Sequence, residues 1–390
     1  MSRRELDSLF LPYSITPPSP SPSPSPPLFG DDYDKCSSIS PLSTPPSSPS
    51  MDCRPQTLFR LLPTCSMPCG IKFGTWVSIT LELLSEFGGF QYEASPNQNF
   101  KLKDGQSLLP LDCCLLYEWE GQISSQSPPN CSLVLEKRAL QSTNWLGLEN
   151  LSGPGIGSSG RGGLELRVLP TQEQAPVTFW ISISSERDQG IVPLVLGPLT
   201  ISSDIRRVDD TRQVLRPISV PQRNDLSPRM MLLKETWNNV PQGRIWDSAF
   251  TLIDIFSKKT THNLYQPAPP VFAGKRILDL SAGTGLLGIF LAGLAQLELE
   301  SFRANSILSS QTCPTTPLSC HSPTPPCTTV MLTDLADALG LINFNVSSNQ
   351  DRIAPNINIV AKELKWGVAH LAQLGAGELD IVIASDVVYE

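Results

Sequence analysis

One short segment narrows the folds open to this chain more than any other. Ile277-Leu278-Asp279-Leu280 runs directly into Ser281-Ala282-Gly283-Thr284-Gly285 and then into Leu286-Leu287-Gly288. That text reads as a strand, a turn of small residues that lets backbone approach a ligand, and the start of an apolar helix. Gly283, Gly285 and Gly288 satisfy the G-x-G-x-x-G pattern, so a nicotinamide-dinucleotide-binding Rossmann oxidoreductase is one reading. The surrounding sequence keeps the same alternation. Trp246, Ala249, Phe250, Ile253 and Phe256 recur at helical spacing, with Asp247 near the helix start where its charge suits the dipole. Strands are expected at 276–280, 330–333, 357–361 and 380–384, and helices at 286–297 and 335–345. Strands alternating with helices imply an α/β fold with a parallel sheet and right-handed crossovers.

Composition limits how much of the 390 residues can join that fold, since 37 are proline. Residues 16–27 and 41–50 are dominated by Ser and Pro, so 1–57 is expected to be a disordered, polyproline-like arm. Between Leu58 and Glu120 the apolar residues keep no sustained period, and no element is assigned there. Beyond Gly163, Leu164, Leu166 and Val168 alternate with polar residues, as do Val177, Phe179, Ile181 and Ile183, and 192–201 is strand-like. Residues 58–228 are therefore expected to be irregular to β-rich, a small accessory region before an α/β domain at 229–390. Within that domain, 301–328 is rich in Ser, Thr, Pro and Cys and is expected to be a disordered surface insertion.

The formal net charge of −8 argues against a nucleic-acid-binding face and favours a basic protein partner. The start lacks the apolar run of a signal peptide, and the longest apolar stretch is too short to span a bilayer. The expectation is a soluble, cytoplasmic protein with no membrane partner, the nucleus being the other compartment open to it. Ten scattered cysteines do not form a disulfide framework. Cys313, Cys320, His321 and Cys327 match no common zinc spacing, so no metal site is expected. None of the three histidines lies in a nucleophile-elbow pattern, which argues against a hydrolase.

The charge of the residues at the strand ends separates the remaining readings. Asp279 stands four residues before Gly283. A pyrophosphate gains nothing from that carboxylate, whereas the ammonium of S-adenosylmethionine does. Asp334, which ends the next expected strand, can accept hydrogen bonds from ribose hydroxyls, or serve as N-cap of the helix expected at 335–345. It lies 49 residues beyond Gly285, an excess over the usual spacing of about 20 that the 301–328 insertion absorbs. Trp366, after the third strand, can pack on adenine or cap the core. With Ser385-Asp386-Val387-Val388-Tyr389 closing the fourth, four strand ends carry polar or aromatic residues where open α/β sheets place their crevice.

Gly243-Arg244-Ile245-Trp246-Asp247-Ser248-Ala249, the 279–285 turn, 364–367 and 386–389 together resemble the ordered signatures of the seven-β-strand, class I S-adenosylmethionine-dependent protein-lysine methyltransferases. The long N-terminal extension is similar to that of the fungal elongation-factor methyltransferases. The resemblance covers about 160 residues. It implies a Rossmann-like sheet and cofactor contacts at Trp246, the Ser281-Ala282-Gly283 turn, Asp334, Trp366 and Ser385, beside Asp279 and Gly285 read above. It places the family's D-x-x-Y signature on Asp386 and Tyr389, the first orienting the acceptor amine and the second walling a lysine channel. The signature lacks the prolines of amino-methylating nucleic-acid enzymes, and the implied acceptor is a protein lysine, such as one of a translation elongation factor. Ser281 departs from the glycine common in the family, and as a small residue it is expected to do little harm. The chain ends one residue past Tyr389, with four of the family's seven strands, so a catalytically inactive, truncated scaffold is the alternative.

Overall fold

The computed structural model describes residues 58–86, 108–119, 121–128, 131, 133–141, 151–171, 178–185, 190–208, 213–222, 229–237, 241–264, 269–310, 327–367, 378–385 and 387. The arm at 1–57 lies outside them, as does 311–326 of the expected insertion.

The region without a legible period, 58–120, and the described segments that follow it to residue 236 are built from strands. They are β1 (Phe59–Pro63), β2 (Met67–Ile71), β3 (Val77–Leu84), β4 (Leu108–Trp119), β5 (Gln122–Ser124), β6 (Leu133–Arg138) and β7 (Gly155–Gly157). There follow β8 (Arg161–Pro170), β9 (Phe179–Ser185), β10 (Ile191–Val192), β11 (Leu194–Ile201), β12 (Arg206–Val208), β13 (Gln213–Val220) and β14 (Arg229–Thr236). Six of them, β4, β5, β14, β13, β11 and β9, pair in that order and β9 returns to β4, closing an antiparallel barrel. Leu116, Ile123, Trp180, Val195, Leu215 and Leu232, one from each strand, pack together inside it. The opposite faces of β4 and β9 join a larger core with β1, β3 and β8, whose Leu61, Ile79, Leu81, Leu164 and Val168 are fully buried.

The expected accessory region is thus larger than the alternation after Gly163 suggested. The expected division at residue 229 also runs through a hairpin, because β13 and β14 pair along their full lengths. The architecture changes after Thr236 instead.

Beyond it come α1 (Asp247–Leu264), β15 (Arg276–Leu280), α2 (Leu286–Ser310), β16 (Thr328–Asp334), α3 (Leu339–Asn349), β17 (Ile357–Glu363) and β18 (Ile381–Ala384). The last four strands form an all-parallel sheet in the order β17-β16-β15-β18. Two helices depart from the expected bounds. The polar residues that seemed to end α2 are buried partners: the Glu298 carboxylate accepts the N–H groups of Val271, Phe272 and Ala273, and Ser301 Oγ donates to the Leu297 carbonyl. The helix therefore runs into the expected insertion, as far as Ser310. α3 starts four residues later than expected, after a turn at Leu335–Ala338.

Apolar residues ring α2 on all sides, because it is buried on both flanks. Ile277, Val330 and Leu332 of the sheet cover one flank, and Ile218, Val220, Met231 and Leu233 of the barrel join the same core. At Gly293 an added Cβ would lie 2.9 Å from Met231 Cε and 3.1 Å from both Val220 methyls, so helix and barrel meet at minimum separation. Two asparagines one helical turn apart complete the junction. Asn349 Oδ1 accepts the Leu232 N–H at 3.1 Å while its Nδ2 donates to the Leu232 carbonyl at 2.8 Å, and Asn345 holds Lys234 in the same way. Side-chain amides here satisfy backbone groups that a neighbouring strand would otherwise serve. Replacing Asn349 by Ala should lower the unfolding free energy by about 3 kcal/mol, since it strands a buried donor and a buried acceptor. Urea unfolding should show this as a lower midpoint at unchanged slope.

Candidate functional site

The carboxyl ends of β15, β16 and β18 open onto a cavity of about 450 Å³. Its floor is the turn after β15, which has positive φ at Ser281 (59°), Gly283 (57°) and Gly285 (80°). The turn is pinned at each step. The Ala282 N–H donates to the Thr333 carbonyl at 2.9 Å, the Gly283 N–H to Asp334 Oδ2 at 2.7 Å, and the Gly285 N–H to the Ala282 carbonyl at 2.7 Å. Gly288 has a different reason to be glycine, since a Cβ there would lie 2.0 Å from Leu332 Cδ2, where α2 crosses the sheet.

Ser281 departs from the expectation that size is what matters at its position. A residue with a Cβ in the left-handed region carries a backbone cost of about 1–2 kcal/mol. The strain, not the volume, is the consequence of serine here.

The two acidic residues differ in setting. Asp334 is half-buried, and its second oxygen accepts the Leu335 N–H at 2.7 Å. It therefore does not cap α3, whose N-cap position is Ala338, because both oxygens already hold the turn and the strand exit. Asp279 is 1% exposed and accepts the Gly288 N–H at 2.9 Å, which places its carboxylate at the start of α2 while it also lines the cavity. Burial raises its pKa to about 7 against the lowering effect of the Gly288 hydrogen bond, and the neighbouring Asp334 charge adds to the rise.

Of the nine expected cofactor-contact residues, Trp246, Asp279, Ser281, Ala282, Gly283, Asp334, Trp366 and Ser385 all line this cavity. Gly285 does not; it lies beneath the turn, where a Cβ would come within 3.3–3.4 Å of Leu332, Ile289 and Ile342. Trp366 is 55% exposed, so it sits at the rim and does not cap the core. Ser385 and Ser248 share a short hydroxyl hydrogen bond between the end of β18 and α1. Asp386 and Tyr389 lie outside the described residues, as do Cys313, Cys320 and His321. Gln242, Arg244, Leu335 and Lys365 also line the cavity without having been singled out. Of these, only Arg244 and Lys365 fell within the quoted signatures.

Residues 226–303 and 315–390 match a family model described as lysine methyltransferase. The mouse (Mus musculus) protein EEF1A lysine methyltransferase 3 is 27% identical over 146 residues, which are 37% of this chain and 43% of that relative. The chain thus spans less than half the length of this relative.

Two outcomes follow from the site itself. Ser281→Gly should stabilise the fold by about 0.5–1 kcal/mol in thermal or urea unfolding, the relief of left-handed strain exceeding the added freedom of the unfolded chain. Asp279 keeps its proton in the native state over a pH range in which the unfolded chain releases it. Its contribution to stability is therefore present below about pH 4 and is lost as pH rises to about 7, a change of at most about 4 kcal/mol. Asp279→Asn, which retains an acceptor for Gly288, should gain stability relative to the parent between pH 5 and 8. A constant difference across that range would place the Asp279 pKa elsewhere.

Proposed function

We propose, from a C-terminal region that matches the lysine methyltransferase family model over residues 226–303 and 315–390, that this chain transfers methyl groups from S-adenosylmethionine to lysine side chains of a protein, a translation elongation factor being the acceptor its relative's name suggests. The observation that carries the cofactor reading is the Gly283–Asp334 hydrogen bond. A pyrophosphate at this turn would need the Gly283 N–H as a donor, and that group is engaged by a carboxylate 2.7 Å away. A second carboxylate, Asp279, lines the same cavity. Two acidic groups around a glycine turn disfavour a dinucleotide and suit a ligand with an ammonium and ribose hydroxyls.

The residues present fit such a donor. Each Asp334 oxygen already accepts one N–H and retains a lone pair for a ribose hydroxyl. Trp246 and Trp366 offer flat faces for adenine, and aromatic faces also tolerate a sulfonium. A cavity of about 450 Å³ falls within the range of about 300–1,000 Å³ typical of small-molecule sites. S-adenosylmethionine, when bound, supplies an activated methyl group. The protein's task is then to hold an unprotonated amine in line with it and to exclude water, which is a positioning problem. Asp386 and Tyr389, which follow Ser385 in the sequence, are the residues assigned to the acceptor amine on the family resemblance.

Calorimetric titration tests this reading. S-adenosylhomocysteine should bind and NAD should not, and the affinity should rise about tenfold from pH 6 to 8 as Asp279 ionises around pH 7. Binding of NAD alone would overturn the proposal. With labelled donor and cell lysate, label in lysines of a protein band is the expected result, and label confined to nucleic acid would refute the acceptor class.

A further inference from the structure

Arg244, Ile245 and Trp246 form one wall of the cavity, yet most of what fixes the Gly243–Asp247 segment comes from the N-terminal β region, the barrel with β1 and β3. Gly243 packs so closely on β14 that a Cβ would lie 2.1 Å from Thr236 Oγ1. Arg244 stacks over the Trp237 ring at 4.8 Å and donates to the Glu86 carbonyl at 3.2 Å. Both backbone groups of Ile245 are held by fully buried ionic side chains: its N–H donates to Glu235 Oε1 at 3.0 Å, and its carbonyl accepts from Arg60 Nη2 at 2.5 Å. On the far side of Trp246, the Asp247 N–H donates to Glu86 Oε2 at 2.8 Å. The Asp247 carboxylate accepts from Arg60 at 2.7 Å and from the Leu58 N–H at 3.1 Å.

Arg60 in β1 and Glu86 just after β3 thus hold the two peptide units flanking Trp246, Glu235 in β14 holds the Ile245 N–H, and the Leu58 N–H holds the Asp247 side chain. Glu235 is held in turn by Arg216 Nε at 2.7 Å, and Arg216 is anchored to the carbonyls of Leu61 and Pro193. Burying this cluster is expensive, and Arg60 Nε and Arg216 Nη2 are left without hydrogen-bond partners. Apolar residues of the same volume commonly hold an interface as firmly as buried ions do. What the ions add is direction, because a carboxylate on the Ile245 N–H and a guanidinium on its carbonyl fix the two peptide units on either side of one residue.

We infer that the N-terminal β region, the barrel together with the neighbouring β1 and β3, is a working part of the cavity, with Arg60, Glu86 and Glu235 as positioning residues that set the Arg244–Trp246 wall for ligand binding. The inference rests on the cofactor reading above and extends it to a part of the chain, residues 58–86, that the family match does not cover. It accounts for the G-R-I-W-D text as a docking sequence for the barrel.

The test uses the full chain and two probes. Arg60→Lys keeps the charge but loses the planar fork that spans Ile245 and Asp247. Glu86→Ala removes a half-buried acceptor and keeps the question open to refutation if Arg60→Lys does not fold. Hydrogen exchange over residues 241–250 reads the wall without any ligand, and titration with S-adenosylhomocysteine reads the cavity. In both variants exchange of the Ile245 and Asp247 amides should accelerate at least tenfold with the barrel strands still protected. Affinity should fall at least fivefold, the rate at saturating donor should change less than the donor KM, and Glu86→Gln should restore most of the loss. Faster exchange with unchanged affinity, or unchanged exchange in both variants, overturns the inference. Failure of the parent chain to bind S-adenosylhomocysteine defeats the cofactor reading instead. The wall's dependence on the barrel is then decided by the exchange data, for which unchanged rates are the refuting result.

Discussion

Helix α2 sets the terms for the rest of the molecule. From Leu286 to Leu297 every residue is buried, which no helix lying on one face of a sheet achieves. The parallel sheet covers one flank, and something must cover the other; β13 and β14 do so, with Gly293 marking the closest approach. The barrel is therefore a structural requirement of the α/β domain. The same burial makes the polar residues along α2 informative. Gln296 and Glu298 are about nine-tenths buried, and they accept backbone N–H groups from Ala354 and from Val271–Ala273, so the helix also organises the entries to β15 and β17.

Local signals explain which parts of this arrangement could be read from the sequence. The strand at 276–280 was legible to the residue because an apolar run meets a small-residue turn, and both features are encoded within ten positions. The cavity floor was legible for the same reason. The barrel was not, because its strands bury both faces. In β9 the alternation of Phe179, Ile181 and Ile183 marks a strand, but Phe179 faces the larger core while its neighbour Trp180 faces the barrel interior, so the pattern does not reveal that both sides are covered. The start of α3 was misplaced because Asp334 carries the chemistry of an N-cap but spends both oxygens elsewhere. Asn345 and Asn349, polar residues with no neighbouring sequence signal, are fully buried. The Arg60 cluster was least accessible of all, since its members lie up to 189 positions apart.

Asn345 shows how the two halves of the molecule bear on the cavity. Its Nδ2 donates both to the Lys234 carbonyl on the barrel and to the Thr284 carbonyl in the glycine turn, each at 2.8–2.9 Å. One amide thus ties the cavity floor to the same strand, β14, that supplies Glu235 to the cavity wall. Floor and wall share a reference frame, which is what a site working by positioning requires, because small displacements of such a site are costly in rate.

That frame also explains how Ser281 is tolerated. A single left-handed non-glycine residue persists only where its surroundings over-determine it. The next residues along the turn are each tied down, Ala282 by the Thr333 carbonyl, Gly283 by Asp334 and Gly285 by the Ala282 carbonyl, while Thr333 Oγ1 donates back to the Asp279 carbonyl at 3.0 Å. Relaxing Ser281 to negative φ would break several of these bonds at once, and their combined loss would exceed the strain relieved. The same bonds hold the Asp334 carboxylate in place at the edge of the cavity. Preorganised polar groups of that kind need no rearrangement when the ligand binds. Strain at Ser281 and readiness at Asp334 are two consequences of one hydrogen-bonded turn.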